Sequence, residues 1–94
     1  MSKQLQDWLN EEEYQKVLKF CGQKLAKNTK QPFYITMKAY CFLKLNKFVE
    51  CKEALDEIKV AKQTEPHTIK YLVEIFTAFG DNDNAMLLLE NVKN

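Results

Sequence analysis

The chain has 94 residues, 46% of them hydrophobic and 29% charged, which places it with single ordinary globular domains and excludes a disordered tail. Its 14 basic and 13 acidic residues leave a formal charge of +1 and, taken as spread along the chain, imply no field strong enough to hold a phosphate backbone. All the basic residues are lysine, and the lack of arginine's planar fork weakens nucleic-acid and phosphopeptide readings further.

Six helices are predicted in chain order. The first covers about residues 3 to 10 and ends at Asn10 to Glu12; the second covers 13 to 27 and stops in the polar stretch Asn28 to Gln31. Pro32 opens the third, 32 to 44, because a first-turn proline lacks an N–H that would have no partner anyway. There Ile35, Ala39, Phe42 and Leu43 form the buried side. The fourth is expected from 47 to 62, with Phe48, Cys51, Leu55 and Ile58 as its apolar stripe and Glu50, Lys52, Glu53, Asp56 and Lys59 facing water. Thr64 to Pro66 ends it, and the fifth follows over 67 to 79. Gly80 to Asp83 turns the chain into the sixth, 82 to 93, where Ala85, Met86, Leu87, Leu88, Leu89 and Val92 spread apolar surface around more than one face. Such a surface needs a cover, so the chain is expected to be the N-terminal piece of a longer solenoid or to have this end covered by a partner; left uncapped, it is expected to self-associate through this helix, and Leu88→Lys to reduce that association.

Residues 34 apart are chemically alike: Trp8, Phe42 and Phe76; Leu5, Ala39 and Val73; Val17, Cys51 and Ala85; Cys21, Leu55 and Leu89. Pro32 and Pro66 share the register, and so do the turn positions Glu12, Asn46 and Gly80, with glutamate expected to make the loosest turn of the three. This period resembles tetratricopeptide (TPR) repeats, stacked helical hairpins that bind other proteins. The expected fold is all-α, a right-handed TPR-like superhelix of three hairpins, in a single domain with repeats at about 2–31, 32–65 and 66–94.

No catalytic motif is present. Cys21, Cys41 and Cys51 lie 20 and 10 apart, fit no zinc pattern and are expected to be reduced, with Cys21 and Cys51 as small core residues. No metal site and no cofactor are expected. His67 opens a helix, and a thiol enzyme using Cys41 and His67 is the minor alternative. An RNA-binding repeat is a further rival, disfavoured by charge balance.

In a TPR array the first helix of each hairpin lines the concave face. By repeat position that face presents Gln6, Leu9 and Asn10, then Phe33, Thr36, Tyr40 and Lys44, then His67, Lys70, Glu74 and Thr77. Phe33 and Tyr40 read equally well as aromatic anchors for a partner or as core residues. The chaperone-binding carboxylate clamp of some TPR domains would fall on Ser2, Gln6, Met37, His67 and Tyr71, which lack its lysine, asparagine and arginine donors.

The segment Tyr14 to Leu25 resembles the N-terminal repeats of the auxiliary subunit of the NatA protein N-terminal acetyltransferase. From Met37 through Asn91, including Thr64-Glu65-Pro66 and Ile69-Lys70-Tyr71-Leu72, the spacing is similar to the NatB auxiliary subunit. That resemblance implies a cytoplasmic, non-catalytic scaffold that wraps a separate catalytic subunit and helps anchor it at the ribosome, with no acetyl-CoA site of its own. A signal recognition particle or trafficking adaptor of the same fold is the alternative.

Overall fold

The computed structural model describes residues 2–93. Six α-helices follow one another: α1 (Lys3–Asn10), α2 (Tyr14–Lys27), α3 (Pro32–Lys44), α4 (Phe48–Leu55), α5 (Pro66–Ala78) and α6 (Asn82–Lys93). They pair as α1–α2, α3–α4 and α5–α6, with α3 in the middle against α2, α4 and α5. This is the expected all-α stack of three hairpins.

The turns inside the hairpins show the repeat at atomic detail. Glu12, Asn46 and Gly80 all take left-handed backbone, with φ of 59°, 61° and 76°. In each turn the left-handed residue's N–H donates three residues back, to Leu9, Leu43 or Thr77, and the next N–H donates five back, to Trp8, Phe42 or Phe76, at 2.8 Å in all three. These paired bonds are the Schellman motif, which satisfies the last carbonyls of a helix. Contrary to expectation, Glu12 does not loosen its turn: the same bonds form, and the glutamate bears a backbone that glycine would adopt without steric cost.

Two buried clusters hold the hairpins together. Leu5, Val17, Cys21, Met37, Cys41 and Tyr71 form one; the larger joins Ile35, Ala39 and Cys51 to Leu72, Ile75 and Leu88. The series Val17, Cys51 and Ala85 is buried in all three units. Small residues at this position let neighbouring helices approach closely, so the 34-residue pattern is a packing pattern.

Three expectations about packing fail. The fourth helix stops at Leu55 instead of continuing to residue 62, and a short 3-10 helix, Val60–Lys62, follows. The freed segment lies against α6, where the Asn91 side chain donates to the Ala61 and Gln63 carbonyls at 3.3 and 3.0 Å. β-branched Ile58 and Val60 are weak helix formers, and this long-range clamp satisfies carbonyls the lost turns leave open. Phe48, assigned to the buried stripe, is 48% exposed and stands edge to face with Phe79, with centroids 6.1 Å apart; Ala54 is buried beside Cys51 and Leu55 instead. Leu88, expected on the open surface of α6, is fully buried, whereas Met86, Leu87, Leu89 and Val92 are exposed. Leu88 repeats the position of Ala54, so the inward side of α6 follows the repeat while Leu89, in register with buried Cys21 and Leu55, is left outside.

Candidate functional site

The helices α1, α3 and α5 carry the residues expected on the concave face, and the structure divides them into groups. On α1, the Gln6 amide donates to Asn10 Oδ1 at 3.3 Å, a pairing that follows from four-residue spacing on one helix side. Gln6 is half-buried and Asn10 exposed.

The second group centres on two tyrosines. Tyr40 of α3 meets Tyr71 of α5 edge to face, with centroids 4.9 Å apart and planes at 69°. Lys44 lies one turn beyond Tyr40, its Nζ 5.3 Å from that ring's centre, and Lys70 Nζ lies 5.5 Å from the centre of Tyr71. Each ammonium therefore sits against an electron-rich ring face. Glu74 is exposed beside them. Burial, then the Glu74 carboxylate, raises the pKa of both phenols, so each stays a neutral donor. Tyr40, Lys44, Lys70 and Glu74 thus lie near one another around the tyrosine pair. Tyr40 is half-buried: part of its ring belongs to the core and its rim borders the open face.

Tyr71, which organises this group, was absent from the expected face. It repeats the position of Met37, a fully buried residue, so periodicity assigns it to the core. The readable signal is its chemistry, because a tyrosine at a core position presents a polar tip that needs an outlet. Met37 and Tyr71 are both buried, so neither stands where a carboxylate clamp needs an exposed donor.

Phe33 and His67 form a third group about 10 Å further along α3. They line a cleft of about 460 Å³ with Ser2, Lys24, Tyr34 and Glu65. Phe33 is half-buried and stands edge to face with Tyr34, centroids 5.3 Å apart. Glu65 caps α5: its carboxylate accepts from the His67 N–H at 3.0 Å, the Thr68 N–H at 2.7 Å and the Thr68 hydroxyl at 2.8 Å. Partial burial works to raise its pKa, but these bonds and the His67 ring, 3.2 Å away, outweigh it and hold the carboxyl at about 2.

Thr36 does not belong to any surface. It is fully buried in the central helix, and among the described residues its hydroxyl has no hydrogen-bond partner. The repeat register puts it on the open face with exposed Lys70, 34 residues on, but α3 is packed against α2, α4 and α5, and Thr36 is covered.

The thiol reading fails on burial. Cys41 is fully buried, and burial pushes its thiol up to about 12, far from the thiolate that a nucleophile requires. Cys21 and Cys51 are likewise buried, with thiols raised to about 12 and about 11. Among the described residues no helix is long and apolar enough to cross a membrane.

Stacked helical hairpins, identical left-handed turns and a face of aromatic and charged side chains define a helical repeat protein of the TPR class, a protein-interaction scaffold. A family model described as Psidin, N-terminal TPR repeats region, matches residues 3–94, and the chain belongs to that family. No curated protein and no solved structure matches the chain.

Proposed function

We propose that this chain is the N-terminal portion of a longer TPR superhelix that acts in the cytoplasm as the non-catalytic auxiliary subunit of a protein N-terminal acetyltransferase complex. Its repeats, at about 2–31, 32–65 and 66–94, present the Tyr40–Tyr71 face to a protein partner, and the catalytic subunit brings acetyl-CoA. The observation that carries the interaction role is that face: half-buried Tyr40, held edge to face by the buried Tyr71 ring, gives a rigid aromatic rim, and exposed Lys44, Lys70 and Glu74 give polar specificity around it. The family's description as an N-terminal TPR repeats region supports placing the chain at the start of a longer array. The resemblance of Tyr14 to Leu25 and Met37 to Asn91 to the acetyltransferase auxiliary subunits supports the choice of complex. The exposed face of α6 is then covered by the next repeat, or by a second copy when the chain is alone.

Affinity capture of the tagged chain from cells, with partners identified by mass spectrometry, tests this. Acetyltransferase catalytic and ribosomal proteins are expected, and Lys44→Glu with Lys70→Glu should reduce the catalytic subunit's recovery by tenfold or more. Capture of signal recognition particle or trafficking subunits in their place would overturn the assignment while leaving the scaffold role intact.

A further inference from the structure

The near-neutral total conceals a segregation of charge. Residues 14–49 contain eight lysines and no aspartate or glutamate, while the rest of the chain holds the other six lysines and all 13 acidic residues. Charge is therefore not evenly spread, and the basic run makes up α2, α3 and the turns next to them.

On α2 the lysines take one side. Lys16, Lys19, Gln23 and Lys27 recur three or four residues apart and are exposed, Lys24 is exposed next to them, and the opposite side carries fully buried Val17 and Cys21. The stripe runs about 16 Å, with one ammonium for most turns of the helix. Aromatic rings border it. Phe20 stands edge to face with Trp8 at 6.0 Å, Lys24 Nζ lies 5.4 Å from the centre of Phe20, and a groove of about 260 Å³ between α1 and α2 is lined by Trp8, Lys16, Lys19, Phe20 and Gln23. Carboxylates flank its edges: Glu13 lies 3.7 Å from Lys16, and Glu65 borders Lys24 across the Phe33–His67 cleft. Neither lies among Lys19, Gln23 and Lys27.

We propose that the outer face of α2 is a binding surface for the phosphate backbone of a single-stranded nucleic acid. Lysines spaced along a helix act as point charges for successive phosphates, and partly open aromatic rings beside them offer bases a stacking platform. The absence of arginine forks fits backbone contact without base reading. This surface is separate from the Tyr40–Tyr71 face, and the inference holds whichever complex contains the chain.

Trp8 is the only tryptophan and borders the groove, so its fluorescence reports occupancy. Titration with a short oligouridylate should change that emission saturably, and the logarithm of affinity should fall with the logarithm of salt at a slope of about −3, as four lysine contacts require on a single strand. Lys16→Gln, Lys19→Gln, Lys24→Gln and Lys27→Gln together should lose tenfold or more in affinity and flatten the slope. The same charge change at exposed Lys3, Lys52, Lys59 and Lys62 should leave affinity within about twofold; circular dichroism checks that both variants keep their helicity, since glutamine matches lysine as a helix former. The proposal is overturned by the absence of saturable binding at about 50 mM salt, by equal losses in the two variants, or by polyglutamate binding as tightly as the oligouridylate, which would make the face a docking site for an acidic protein.

Discussion

Glu65 does at one position what serine does at the start of α1, closing a helix N-terminus with its side chain. Because the folded carboxyl is held at about 2, below its ordinary value of 4.5, it stabilises the fold fully above pH 4.5, and this contribution is lost as pH falls toward 2. The side chain is half-exposed, so solvent screens its charge and most of the effect comes from the cap hydrogen bonds. Glu65→Ala should cost about 1 kcal/mol at neutral pH, and denaturant unfolding measured at several pH values should show a smaller decline between pH 4.5 and 2 than in the parent. Thr36 gives the opposite case. Its buried hydroxyl has lost water and gained no partner, so Thr36→Val, which keeps the branched shape, should raise stability by about 1 kcal/mol in the same assay. Neither residue's role could be read from the chain alone: Glu65 resembles any acidic residue before a proline, and the burial of Thr36 depends on three other helices. His67, by contrast, was legible as the start of a helix, because the proline before it fixes the first turn.

Helices and turns were more legible than side-chain environments, since each rests on signals a few residues long. Asn46 and Gly80 are residue types that tolerate left-handed backbone, and their positions 34 apart located the turns. Glu12 was legible only through that register, and the strain it bears makes a test. Glu12→Gly should raise the midpoint of thermal unfolding, equivalent to about 1 kcal/mol, while Gly80→Ala should lower it by a similar amount even though a Cβ there meets nothing within 4 Å. Opposite signs at equivalent positions would isolate backbone conformation as the cause, whereas no change in either variant would refute it. The early end of α4 was not legible. No glycine or proline lies between Leu55 and Lys62, and the hydrogen bonds that favour the break come from Asn91, about 30 residues away. The same break opens a cleft of about 600 Å³ floored by Leu55, Ile58 and Phe76, so the second hairpin departs from strict repetition where it meets the third.

Over the whole molecule, a helical stack buries both sides of its inner helices but only one side of its last. In α6, Leu88 and Ala85 face inward, and Met86, Leu87, Leu89 and Val92 form an exposed apolar surface. Leu89 occupies the position at which Cys21 and Leu55 are buried, so the bare surface continues one that is covered in the earlier hairpins. An apolar face of this kind drives association when nothing covers it. Light scattering on the isolated chain should therefore show an average mass that rises with concentration. Met86→Lys with Leu89→Lys should return it to the monomer mass with helicity unchanged, because both side chains already reach solvent. Leu88→Lys would instead place a charge in the core and unfold the chain, so it cannot serve as the surface test that the sequence alone suggested. A parent chain that stays monomeric at high concentration would show that the face is too small or too interrupted to self-associate.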